Sequence, residues 1–132
     1  MKLLLASVFL AMSPATKAEP VDYPTLIRAI AEIEQGTWGQ PGGTCTILYA
    51  AWSDSSDLPY QASANESQAM PVYFKHLDWL SAQLRKARVS VNPQTLGTCW
   101  RWGLDGARRR NWKSDQGERT ENLYDDFRLS AR

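Results

Sequence analysis

Glu34 is the residue with the clearest chemical potential. It ends an apolar helical stretch and precedes a glycine-rich run, Gly36-Thr37-Trp38-Gly39-Gln40-Pro41-Gly42-Gly43-Thr44. A carboxyl at a helix C-terminus faces the negative end of the helix dipole, and a carboxyl able to hold a proton there is what a general acid requires. The ordinary alternative is an exposed glutamate that only solvates the helix end. Asp54 and Asp57 follow Trp52 and are candidates for the second carboxylate that many glycosidases use. Aspartates in such a serine-rich stretch also serve as turn residues. Trp100-Arg101-Trp102-Gly103 offers aromatic faces of the kind that stack on sugars or bases. Successive helical residues point about 100° apart, so the two Trp do not both face one core. Arg108-Arg109-Arg110 with Trp112 and Lys113 suits either an anionic polymer or a solvated basic turn. Trp38, Trp52 and Tyr60 read as core residues. The single histidine, His76, sits beside an apolar helical stripe and reads as a packed or surface residue rather than a base. Two cysteines far apart and one histidine make no zinc spacing, so no metal is expected. No phosphate loop or dinucleotide fingerprint is present, and no cofactor is expected.

These residues need elements to hold them. Leu26, Ile30 and Ile33, with Ile27 beside them, place an apolar stripe on a helix over 22–36, with Asp22 as a cap, Pro24 in the first turn and Gly36 as the stop. Residues 36–44 form a loop. Residues 45–52, CTILYAAW, fit a short strand or a buried helical turn equally well, and 53–64 read as a second loop. Tyr73, Leu77, Leu80 and Leu84 define a long helix over 65–88, capped by Asn65 and ended by cations, with Pro71 near its start. Asn92-Pro93 opens a further helix that runs to about Trp102 and stops at Gly103. Residues 104–113 read as a short basic stretch broken by Gly106. Leu123, Tyr124 and Phe127 mark a last helix over 115–129. The fold class is mostly α, with at most a scrap of strand.

The chain has 132 residues, 43% hydrophobic and 22% charged, which suits one soluble domain and argues against disorder. Residues 1–18 read as a signal peptide: Lys2, the apolar run Leu3 to Met12, then Thr16-Lys17-Ala18. That run is too short for a membrane span, which takes about 20 apolar residues. Residues 19–132 are then one exported domain, periplasmic or extracellular and expected to be a monomer. Without Lys2 and Lys17 the chain holds 13 basic and 14 acidic residues, a balance unsuited to general nucleic-acid binding. An even cysteine count in an exported chain favours a disulfide between Cys45 and Cys99, with two buried thiols as the alternative.

The order of these pieces resembles the lysozyme-like soluble lytic transglycosylases over residues 22–128. LIRAIAEIEQG (26–36) is similar to the family's helix ending in Glu-Ser-Gly, and Glu34 takes the place of its catalytic acid. WGQPGGTCTILYAAW (38–52) looks like the glycine-rich loop and the segment bearing a cleft Gln, which falls at Thr46. YFKHLDWLSAQL (73–84) looks like the helix under the cleft. NPQTLGTCWRWGLDGA (92–107) resembles the helix ending in aromatic-Asn-Ala-Gly. Trp100 and Gly103 match its ends, and Arg101-Trp102 replaces the Asn-Ala pair. In ERTENLYDDF (118–127), Arg119 and Leu123-Tyr124 match the closing helix, while the family's cleft Tyr falls at Gln116. The resemblance implies a lysozyme-like domain around a sugar cleft, with Thr46, Trp100, Arg101, Trp102 and Gln116 binding substrate. It implies peptidoglycan glycan strands as the partner and Glu34 as sole acid and base. It also sets Cys45 and Cys99 in neighbouring segments. Three function classes follow: a peptidoglycan-cleaving enzyme, a non-cleaving glycan-binding envelope protein, and a secreted anion-binding protein.

Overall fold

The computed structural model describes residues 20–131. Five helices carry the architecture: α1 (Tyr23–Glu34), α2 (Tyr49–Ser55), α3 (Glu66–Lys86), α4 (Pro93–Arg109) and α5 (Asp115–Ser130). Tight helical turns at Gly43–Cys45 and Tyr60–Ala64 fill the connections, and the described residues contain no strand. The chain is therefore mostly helical, as its periodicity predicts. The undecided segment 45–52 resolves as the end of one turn and the start of α2. The expected loop 53–64 is helical at both ends. The proposed leader, residues 1–18, lies outside the described residues. None of the described helices is long and apolar enough to cross a membrane.

The helix starts follow local hydrogen-bonding chemistry. The Asn65 side chain accepts from the Gln68 amide at 3.2 Å, and Asn92 and Thr95 exchange side-chain and backbone bonds as a capping box. Ser114 accepts from the Gly117 amide at 3.0 Å. Asp22 makes no such cap. Its carboxylate takes the Thr25 hydroxyl at 2.7 Å, while its own amide donates to the Tyr124 hydroxyl at 2.9 Å, tying α1 to α5.

Leu26, Ile27, Ala29 and Ile30 of α1 are buried, as are Tyr73, Leu77, Leu80 and Leu84 of α3, so the predicted stripes form the core, except that Ile33 at the end of α1 is only half-buried. Helix α3 runs through Pro71. Helix α4 bends at Gly103 (φ 75°, ψ 171°), where a stop is predicted, but a second helical piece continues to Arg109. Gly106 is buried inside that piece and does not break it. Helices α4 and α5 cross closely because Gly117 has no side chain. A Cβ there would run into the Thr98 hydroxyl and the Gln94 carbonyl.

Helix α1 ends on Gln35 in the left-handed region (φ 57°, ψ 34°), its amide bonded to the Ala31 carbonyl. Glycine is the usual residue there, since a Cβ in that conformation costs about 1–2 kcal/mol. Part of the gain from glycine is offset by its freer unfolded state. Gln35→Gly is expected to raise the melting temperature by about 3–5 °C. A lower melting temperature would mean that the glutamine side chain itself holds the helix end.

Candidate active site

The glycine-rich loop is pinned into place before it presents any chemistry. The Tyr73 hydroxyl donates to the Gly42 carbonyl at 2.6 Å and accepts from the Cys45 amide at 3.3 Å. The Ser63 hydroxyl accepts from the Gly42 amide and donates to the Tyr60 carbonyl, both at 2.6 Å. The Tyr60 hydroxyl donates to the Ile47 carbonyl at 2.6 Å, and Trp100 Nε1 donates to the Cys45 carbonyl at 2.8 Å. Gly43 sits at φ 67°, packed so closely that a Cβ would strike Trp38, the Tyr73 hydroxyl and the Ser63 carbonyl. Side chains from three other elements thus fix the loop's backbone.

That fixed loop aims Thr46. The residue takes a left-handed conformation (φ 49°, ψ 49°), unusual for a β-branched side chain and worth about 1–2 kcal/mol of strain. Its hydroxyl donates to Glu34 Oε1 at 3.1 Å. From the opposite wall, Arg101 of α4 places Nη1 on the same oxygen at 3.0 Å. Glu34 is the buried partner, its side chain 8% exposed, while the Arg101 side chain is 44% exposed. These residues, with Leu48 and Trp100, line a cleft of about 250 Å³.

Four of the predicted site residues therefore meet: Glu34, Thr46, Trp100 and Arg101. Trp102 and Gln116 do not line this cleft. Trp102 is displaced by helical geometry. Trp100 points into the core and Arg101 to the cleft, so the next residue points out, where Arg110 covers its ring at 3.7 Å. Gln116 lies in the first turn of α5, and its carbonyl accepts from the Thr120 hydroxyl. Asp54 lines an adjoining apolar groove of about 200 Å³, which shares Leu48 and Trp100 with the cleft. Asp57 is exposed on the following loop. Among the described residues, Glu34 is thus the single carboxyl lining the cleft. Leu48, a cleft wall, carries no chemical signal that a sequence reading could use.

The expected disulfide is absent: Cys45 and Cys99 are both buried free thiols. The Cys45 thiol donates to the Ile27 carbonyl at 3.5 Å. Burial pushes the Cys45 thiol up to about 12 and that of Cys99 up to about 11. Thiols held protonated in this way behave as small apolar groups.

His76 lies on the far side of the groove, stacked on Trp79 (centroids 6.0 Å apart) and edge-on to Trp100 (5.4 Å). Burial lowers it from its ordinary 6.5 to about 4, partly opposed by the Asp54 charge. The neutral ring belongs to the fold, so the unfolded chain binds a proton first on acidification. Stability is whole above the unfolded value of 6.5 and falls as the pH drops towards about 4. The full loss is about 3 kcal/mol. Urea midpoints measured down from neutral pH are expected to fall, and His76→Gln is expected to flatten the upper part of that curve, above the carboxylate range. An unchanged slope in the variant would place the titrating group elsewhere.

No family model matches the chain, and neither the curated proteins nor the solved structures contain a significant match to it.

Proposed function

We propose that this chain is a lysozyme-like, exported protein that cleaves the glycan strands of peptidoglycan, with Glu34 as the only acid and base. The observation that carries this reading is a single carboxyl, nearly buried at a helix C-terminus, lining a cleft with a hydroxyl and a guanidinium beside it. With no second carboxylate lining that cleft among the described residues, the reaction that fits is the one needing one group. Glu34 protonates the glycosidic oxygen as the bond from muramyl C1 breaks, and the sugar's N-acetyl group supports the cationic centre. The carboxylate then takes the proton from the 6-hydroxyl, whose oxygen closes on C1. The product is a 1,6-anhydro sugar, and Glu34 ends as it began.

Arg101 sets a condition on this chemistry. A guanidinium at 3.0 Å is a partner for a carboxylate, and a carboxyl carrying the catalytic proton has to release it. Turnover therefore requires Arg101 to exchange Glu34 for a group on the substrate. Its exposed position leaves room for that exchange. The same ion pair favours a second reading, in which the cleft binds glycan without cutting it.

Mass spectrometry of fragments released from purified peptidoglycan by residues 19–132 separates these outcomes. Anhydro-muropeptides that disappear with Glu34→Gln support the proposal. Reducing-end products point to water as the acceptor and require another base. A folded protein that binds peptidoglycan and releases nothing selects the second reading.

A further inference from the structure

The basic run that the cleft chemistry leaves unused has its own architecture. Residues 101–113 carry five cations, Arg101, Arg108, Arg109, Arg110 and Lys113, against one acid, Asp105. The whole chain has a formal charge of only +1, so the remainder is net negative and the charge is segregated. Two of the five have carboxylate partners: Arg101 on Glu34 and Arg108 on Asp105 at 3.1 Å. Arg109, Arg110 and Lys113 are exposed and have no carboxylate partner among the described residues.

Aromatic rings lie against three of the guanidinium groups, in place of an acid at Arg110 and beside one at Arg101 and Arg108. Arg110 lies 3.7 Å from the centroid of the Trp102 ring and donates to the Gly106 carbonyl at 3.1 Å. Arg101 approaches the same ring at 5.7 Å, and Arg108 sits 5.3 Å from Trp112. Gly106 makes the stack possible, since a Cβ there would press on the Cβ of Trp102. The chain turns back after α4 through two consecutive left-handed residues, Asn111 (φ 58°) and Trp112 (φ 65°). A tryptophan in that region is strained, and the Trp112 amide is held to the Ala107 carbonyl at 2.7 Å. The result is an exposed cationic shelf of Arg109, Arg110 and Lys113, in which the Trp102 ring orients Arg110.

Gathering unpaired like charges raises the free energy of the folded state, and a guanidinium already lying on a ring loses less freedom on binding. Its planar fork matches phosphate and carboxylate oxygens. We infer that this shelf, Trp102, Arg109, Arg110, Trp112 and Lys113, is a binding site for a linear polyanion whose oxyanion groups repeat along the chain. The inference stands apart from cleavage at Glu34, and loss of that activity leaves it untouched.

The test is fluorescence anisotropy of labelled inorganic polyphosphate and labelled polyglutamate with the mature chain, titrated from low to physiological salt. Binding is expected, with affinity falling linearly on a log–log salt plot, as for other polyelectrolyte contacts. The arm that binds more tightly assigns phosphate or carboxylate as the preferred group. Arg109→Gln with Arg110→Gln and Lys113→Gln is expected to weaken binding by about tenfold or more and to flatten the salt slope. Lys75→Gln with Arg85→Gln and Lys86→Gln removes equal charge from α3 and is expected to change it little. Arg110→Lys keeps the charge and loses the flat stack, and an intermediate loss is expected. Circular dichroism melting confirms that each variant is folded. Binding of neither polymer overturns the proposal. Equal losses in the two triple variants, or binding only to anionic lipid vesicles, also overturn it.

Discussion

Glu34→Gln is expected to lower peptidoglycan cleavage by about 10²–10⁴-fold, the range set by removing a positioned acid and base from a reaction that has only one. The substitution keeps the shape of the side chain and its ability to accept from the Thr46 hydroxyl at Oε1. It removes the proton that the leaving oxygen needs. The ion pair with Arg101 is lost as well, but that arginine is 44% exposed, and a pair so open to water contributes no more than about 1 kcal/mol. Melting temperature is therefore expected to move by only a few degrees. A rate measurement on defined muropeptide chains, with melting run in parallel, checks both halves. Activity retained in a folded Glu34→Gln protein would remove Glu34 from the mechanism. Activity lost together with the fold would show that Glu34 holds α1 to α4.

The contrast between these two roles bears on what a sequence can reveal. The stripes Leu26-Ile30 and Tyr73-Leu77-Leu80-Leu84 are legible because burial of one helix face imposes a period on residue type, and the structure buries them. Asn65 and Asn92 are legible because a capping amide sits at a fixed offset from the helix it starts. Residues 45–55 carry no such period, because they turn twice within a few residues and are held by Tyr73, Tyr60 and Trp100 from elsewhere. Gly106 reads as a breaker, yet here the missing Cβ makes room for Trp102 within a helix. The disulfide expectation rested on cysteine number and compartment, and neither specifies which way two thiols point. For the site, Glu34, Thr46 and Arg101 converge as the motif order suggests. Gln116 and Trp102 do not line the cleft: Trp102 follows Arg101 around the helix and points outward, and Gln116 sits in the first turn of α5. The partnership of Arg110 with Trp102 is visible only once the helix brings them together.

Trp100→Ala is expected to destabilise the fold by about 3–5 kcal/mol, a loss on the order of 15–25 °C in melting temperature. The ring is only 6% exposed and packs edge-on against both Tyr73 and His76, with centroids 5.4 Å away in each case. Removing it opens a cavity between α3 and α4 and leaves the Cys45 carbonyl without the indole donor at 2.8 Å. Trp100→Phe keeps most of the volume and loses that donor, so about 1–3 kcal/mol is expected. The two variants also separate the roles that the resemblance merges. A sugar platform can be removed with little change in melting, whereas a support for the loop cannot. Cys45 directly precedes Thr46, so slackening its carbonyl is expected to loosen the hydroxyl that Thr46 donates to Glu34. Trp100→Phe should then lose glycan cleavage out of proportion to its modest loss of stability. If Trp100→Ala melts within a few degrees of the parent and loses only glycan binding, Trp100 is a substrate platform and the loop stands without it.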